Sequence, residues 1–325
     1  MDLETADLSK TPKVSVIVPT FNRKDLLKEA LDSIRAQTLK DWECIIVDDG
    51  STDGTIPFLQ DWVIKDQRFK YFSRPDYYLK GAASCRNYGL IQSKGRYIQW
   101  LDDDDLISKN KLEFQIRKLE EYSEEDCFAT CSWDLYWTGK QIELKYLISE
   151  EEYLNSKSFF KKLFEKQSFI PASAYLIPRS ITFSAGMWNQ SLSLNDDAEY
   201  FTRILLHSKK LVMTGGCYVL YREHSNERIS TRTDKKSLDS FLLSLHLIYS
   251  HLLSHHIKVP YYFKWKLKKV FLQYSHNSMD VLQMHYYFFR ENGIDLRFPR
   301  LLNLRILFFK KIYPLYKKLI QRKVW

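Results

Sequence analysis

An α/β fold on a mainly parallel central sheet, with helices on both faces and a helical C-terminal extension, is predicted by three features of this 325-residue chain. Short β-branched runs alternate with helical patterns from Lys13 onward, which implies right-handed βαβ units. Polar and acidic turns end the apolar runs, as at the strand ends of open sheets. Hydrophobic residues at 45%, charged residues at 27% and only 10 Gly and 9 Pro exclude collagen-like, low-complexity and wholly disordered chains.

Val14–Val18 is β-branched and stops at Pro19; Leu26, Leu27, Ala30, Leu31 and Ile34 then recur at helical spacing through Gln37. Glu43–Val47 reads as a second strand, ended by Asp48-Asp49-Gly50-Ser51. Ala83–Ser93 reads as a helix, Arg96–Leu101 as a third buried strand and Lys111–Tyr122 as another helix. Beyond Cys127 come strand-like runs at Cys127–Trp133, Ala172–Ile177 and Tyr218–Tyr221, with a helix starting near Asp197 and carrying Phe201, Ile204 and Leu205. From Leu238 the pattern is helical, aromatic and basic. The expected organisation is an N-terminal tail (1–11), a domain over 12–235 divided at 125/126, and a C-terminal region over 236–325.

The formal net charge of +9 is uneven. Lys258–Trp325 holds 15 Lys and Arg against three acids, a net of +12, and the first 257 residues carry −3. Five cysteines without a C-x-x-C pair read as buried free thiols in a reducing compartment. The acidic, polar start MDLETADLSK is unlike a signal peptide, and no apolar run reaches the ~18–20 residues of a membrane span. The expected location is cytoplasmic, with contact at the inner face of the membrane left open.

Three strand ends should converge on one polar crevice: Pro19-Thr20-Phe21-Asn22, Asp48-Asp49-Gly50-Ser51 and Asp102-Asp103-Asp104-Asp105. Carboxylates as close as those of the last run repel unless a cation or a shared proton neutralises them, and oxygen-only ligands suit Mg²⁺ or Mn²⁺. The plainer reading is an acidic turn capping the next helix. Asp49 could accept from a base N–H, with Arg86 reaching the same pocket; singly they read as a turn Asp and a surface Arg.

With these residues the chain resembles the family 2 glycosyltransferases of GT-A fold. VSVIVPTFNR, IIVDDGSTDGT and RNYGLIQSKGRYIQWLDDDD resemble the nucleotide-sugar-binding half, LNDDAEYFTRIL the segment of the catalytic base, and YREHSNERIS a terminal Tyr-Arg-x-His element. The likeness covers about residues 12–232. It implies a nucleotide-sugar-binding half at 12–125 and an acceptor and catalytic-base half at 126–235. It further implies that Pro19 and Phe21 line the base pocket with Asn22 beside them, that Asp49 bonds the base and that Arg86 flanks it. Asp102 would face the ribose and Asp104 the metal, Mn²⁺ or Mg²⁺, with Asp103-Asp104 as the alternative pairing. Asp197 matches the base of an inverting transfer, Asp196 being the alternative, and His224 matches a histidine on the metal or diphosphate. Arg222 and Arg228 could clamp phosphate from the same loop. The implied partners are a nucleotide-diphosphate sugar, by analogy UDP-linked, and a saccharide or lipid-linked saccharide acceptor in cell-surface polysaccharide synthesis.

The C-terminal region interleaves aromatic and basic residues, as in Lys264-Trp265-Lys266, Arg305–Lys311 and Tyr313–Lys318. Such helices suit an anionic membrane surface; the plainer reading is an apolar face packed on protein with its lysines in water. A nucleic-acid-binding protein would use the same charge but leaves the acidic crevice unexplained, so no nucleic acid is expected. A nicotinamide-dependent oxidoreductase lacks its G-x-G-x-x-G, and a P-loop kinase its G-x-x-x-x-G-K-[ST]. His251 and His255 are spaced like a zinc pair, but no Glu completes H-E-x-x-H.

Overall fold

The β-branched runs form a sheet because each is flanked by turn residues and buries side chains on both faces. A computed structural model describes residues 11–122, 127–136, 153–155, 159, 170–223, 234–259, 261–275, 277–294 and 296. The chain divides into two compact units, Met1–Arg232 and Thr233–Trp325.

The first unit opens with β1 (Val14–Thr20), α1 (Lys24–Arg35), β2 (Trp42–Asp48), α2 (Thr55–Lys65), β3 (Phe69–Ser73), α3 (Ala82–Gln92) and β4 (Tyr97–Trp100). There follow β5 (Leu106–Ile107), α4 (Lys111–Glu120), β6 (Cys127–Tyr136), β7 (Tyr153–Asn155), β8 (Ile177–Pro178), α5 (Arg179–Ala185), α6 (Asp196–Leu206) and β9 (Lys210–Arg222). The main sheet runs β3-β2-β1-β4-β8, with its first four strands parallel and β8 antiparallel at the edge. A second sheet runs β5-β9-β6, and β7 also pairs with β9. α2 and β3 are elements that the sequence pattern did not separate.

Right-handed crossovers make this order informative. β1 to β2 and β2 to β3 move one way, so α1 and α2 share a face; the return from β3 past β1 to β4 puts α3 on the other. Val14, Val16 and Val18 accordingly pack in one core with Leu27, Leu31 and Ile34 of α1. On the other face α3 lies so close that a Cβ on Gly89 would come 2.6 Å from Ile17 Cγ2 and 3.4 Å from Val47 Cγ2. Gly89→Ala should therefore lower stability by about 1–3 kcal/mol. Thermal unfolding checks this, and an unchanged Tm would mean that α3 can shift outward.

The run Ala172–Ile177, expected as a strand, is a correction. It forms a 3₁₀ turn at Ala172–Ala174 and only Ile177–Pro178 pairs with β4. The Ala174 amide closes a turn on the Pro171 carbonyl, and buried Ser173 is drawn to Asp105 by a 2.6 Å hydrogen bond. All five cysteines are free and buried, as expected.

In the second unit α7 (Lys235–Ser254) begins at Asp234, whose side chain accepts from the Ser237 amide, and is followed by α8 (Tyr261–Tyr274), α9 (Met279–Met284) and α10 (Tyr286–Glu291). Phe263, Leu267, Val270 and Phe271 form a buried stripe on α8, while Lys264, Lys268 and Lys269 are exposed. The Phe263 and Phe271 rings meet Phe288 and Phe289 of α10. This segment thus buries Phe263 and Phe271, leaves Trp265 half-buried and exposes Lys264, Lys268 and Lys269; Arg305–Lys311 and Tyr313–Lys318 lie outside the described residues. Among the described residues no helix is long and apolar enough to cross a membrane.

Candidate functional site

The strand order reverses between β1 and β4, and a crevice for ligands opens at such a switch point beyond the carboxyl ends of the strands. Thr20 ends β1 and Asp102–Asp105 follow β4, so the acidic run sits at that opening. Exposure alternates along it: Asp102 and Asp104 are half-buried, Asp103 and Asp105 buried.

The two buried members are built in. Asp103 Oδ2 accepts from Thr20 Oγ1 at 2.8 Å, and Arg23 Nη1 lies 3.1 Å from Asp103 Oδ1 and 2.5 Å from Asp104 Oδ2. Burial, with repulsion from Asp104, pushes Asp103 up to about 7 against the pull of Arg23. Asp105 accepts from Ser173 Oγ and from the Arg222 amide at 3.1 Å; burial first, then Asp104 and Asp102, hold its carboxyl well above the usual range. Arg222 donates from Nε to the Asp104 carbonyl at 2.8 Å and from Nη2 to Glu29 at 2.6 Å. It fastens the loop that carries the aspartates.

Arg86 joins the two halves of the first unit. From α3 its Nη2 donates to Asp102 Oδ1 at 2.7 Å and its Nη1 to Asp196 Oδ2 at 3.2 Å, with the guanidinium 4.3 Å above the Trp188 ring. Burial opposes its charge, but Asp102 and Asp196 outweigh burial and hold Arg86 above its ordinary range. Asn87 exchanges two 2.8 Å bonds with the Trp188 backbone, fixing the ring under Arg86. Asp196 and Asp197 open α6, where the helix dipole favours acidic residues. Burial and then repulsion from Asp196 raise Asp197 to about 6. Asp196 is also raised, by burial, against Arg86.

At the other end of the crevice Asp49 is ion-paired with Arg74 Nε, not with Arg86. Arg74 also donates to the Tyr78 carbonyl at 2.6 Å, so it positions the turn after β3. Phe21 is 40% exposed, with Lys80 Nζ 4.2 Å from its ring centre. Asn22 has a left-handed backbone (φ 52°); its amide donates to Ser51 Oγ and its Oδ1 accepts from the Thr52 amide, tying two strand ends together. Pro19 is buried within β1, opposite Val47.

The structure thus gathers Asp102, Asp103, Asp104, Arg86, Asp196 and Asp197 into one charged network, and places Asp49, Phe21 and Asn22 beside it on the ends of β1 and β2. His224 and Arg228 lie outside the described residues. Arg23, Arg74 and Lys80 were missed. Arg23 stood unassigned inside VSVIVPTFNR, and Arg74 follows a strand that the pattern did not reveal. Among the described residues no three His, Cys, Asp or Glu groups converge on a cation position. The protein's own share would then be one or two carboxylates, the number with which Mg²⁺-type ions often bind alongside substrate phosphates. A guanidinium bridging Asp103 and Asp104 marks where positive charge is required, so the residues fit a divalent ion.

A family model described as "Glycosyl transferase family 2" matches residues 15–183, just over half of the chain. A Campylobacter jejuni protein named GalNAc(5)-diNAcBac-PP-undecaprenol beta-1,3-glucosyltransferase is 37% identical over 172 residues, 49% of this chain and 55% of its own. The chain spans 55–59% of the length of the first curated relatives it matches. The S. aureus TarS structure in complex with UDP-GlcNAc aligns with a TM-score of 0.61 at 18% identity, over 82% of this chain and 74% of that one. The mannosyltransferase PcManGT from Pyrobaculum calidifontis, in complex with GDP-Man and Mn²⁺, aligns at 0.52 and 19% identity, over 85% and 73%.

Proposed function

Because the chain belongs to glycosyl transferase family 2 and has the GT-A fold, we propose that it moves a sugar from a nucleotide-diphosphate donor to an acceptor hydroxyl with inversion. The observation that carries this reading is Arg86, which ties Asp102 at the end of β4 to Asp196 at the start of α6. A donor carboxylate and a candidate base pair therefore share one site.

In this reading residues 12–125 hold the donor and 126–235 the acceptor. Phe21 and Asp49 face the nucleobase, with Arg74 orienting Asp49, and Asp102 faces the ribose. Asp102 and Asp104 are favoured as the working pair because their carboxylates are the half-buried ones; Asp103 supports them from Thr20. Asp104, with His224 by resemblance, would hold Mn²⁺ or Mg²⁺, which when bound stabilises charge on the departing diphosphate. Asp197 takes the proton of the acceptor hydroxyl as its oxygen bonds to the anomeric carbon. The bond from that carbon to the diphosphate oxygen breaks on the opposite side, and the nucleoside diphosphate leaves with the electron pair. Arg86 holds Asp196, which leaves Asp197 as the carboxylate available for the acceptor.

The Campylobacter relative's name supports a lipid-linked saccharide acceptor, and the TarS complex supports a UDP-linked donor. The +12 over residues 258–325 would keep the enzyme at an anionic membrane surface where such acceptors lie. A thermal-shift panel of UDP-, GDP- and dTDP-sugars, with and without Mn²⁺, tests the reading. One donor class should raise Tm by several degrees in the presence of Mn²⁺, since a ligand at 100 times its Kd adds about 2.7 kcal/mol. Stabilisation by none of them would overturn it.

A further inference from the structure

Three arginines touch the aspartate run, and they differ in how firmly they are held. Arg86 is 9% exposed, engages two carboxylates and lies on Trp188. Arg222 is 2% exposed and bonds both Glu29 and the Asp104 carbonyl. Arg23 is 38% exposed, while its partners Asp103 and Asp104 are 8% and 14% exposed. Among the described residues its side-chain hydrogen bonds go to these two carboxylates, and both come from the single nitrogen Nη1. A guanidinium used as a recognition fork places two N–H groups on one carboxylate. A single nitrogen bridging two carboxylates does what a small cation would do.

We propose that Arg23 is the resident counter-ion of this site, which a divalent ion must displace from Asp104, and that the freed guanidinium turns to the donor diphosphate. The proposal rests on the reading of the crevice as a metal-dependent nucleotide-sugar site. Two positive charges compete for one carboxylate oxygen, so a metal ion arriving alone must release an ion pair whose partner is tethered three residues beyond β1. A diphosphate offers that guanidinium a new anionic partner with matching geometry. Metal and nucleotide binding are then cooperative, each strengthening the other by the same factor.

Mn²⁺ titrations of the full chain, followed by the electron paramagnetic resonance signal of free Mn²⁺, test this without reference to activity. They are run alone and with UDP, GDP and dTDP, on the wild type, Arg23→Gln and Arg23→Lys, each checked for an unchanged circular dichroism spectrum. The wild type should bind Mn²⁺ about tenfold tighter with its preferred nucleotide than without. Arg23→Gln should bind Mn²⁺ alone about five- to tenfold tighter than the wild type and gain less from nucleotide. Arg23→Lys, which keeps the charge, should stay near the wild type with Mn²⁺ alone. If Arg23→Gln binds Mn²⁺ alone no better than the wild type while nucleotide-dependent binding persists, the counter-ion role is overturned and the site reading survives. If no nucleotide promotes Mn²⁺ binding to any of the three proteins, both fall.

Discussion

Asp104→Asn is expected to abolish metal-dependent donor binding while leaving the first unit folded. The Asp104 side chain is 14% exposed and its ion-pair partner Arg23 keeps Asp103, so the isosteric change removes charge without leaving a bare buried group. The Arg23–Asp104 ion pair that the change removes has a partly exposed partner in Arg23, and pairs of that kind are worth about 0–1 kcal/mol. A divalent ion in the proposed site would lose one of the few carboxylates that could hold it there, and without that ion its positive charge would not be present to offset a departing diphosphate. Removing one group that stabilises developing charge costs roughly 10²–10³ in rate. Calorimetry with the preferred nucleotide sugar and Mn²⁺ should show binding to the wild type and none to the variant. Equal affinity in both would remove Asp104 from the metal site and leave Asp102 and Asp103 to be tested in its place.

The parts of this molecule that were legible in sequence are those governed by local pattern. The strands β1, β2 and β4 show as apolar runs because a parallel sheet buries both faces of its strands, and each ends in turn residues. The acidic strand ends followed from that reading, and with them most of the candidate site. β3 was hidden because FKYFS, at the edge beyond β2, is only partly buried and carries Lys70 and Ser73. Arg74 was lost with it. Other features depend on tertiary pairing. No spacing rule says that Arg86 turns from Asp49 toward Asp102 and Asp196, 16 and 110 residues away. Likewise Ser173 leaves a strand-like run to reach Asp105, a long-range bond that outweighs a short stretch of β propensity.

Asp197→Asn is expected to stop transfer while sparing the donor. Its carboxylate accepts the Ala198 amide at 2.7 Å, and Asp196 carries the ion pair to Arg86, so an amide at 197 leaves the Arg86–Asp102 contact in place. An amide cannot take the acceptor proton, and a positioned base contributes about 10²–10⁴-fold. Turnover should fall by that factor with donor affinity within about twofold of the wild type. Asp196→Asn should do the reverse, freeing Arg86 from one anchor and weakening donor binding first. The pH profile gives a second readout. Burial and Asp196 raise Asp197 to about 6, and a base acts only when deprotonated. Wild-type turnover should therefore be flat above about pH 7 and fall roughly tenfold per unit below about pH 6, and this limb should vanish from any residual activity of Asp197→Asn. Loss of transfer with intact donor binding in Asp196→Asn, and not in Asp197→Asn, would exchange the two assignments.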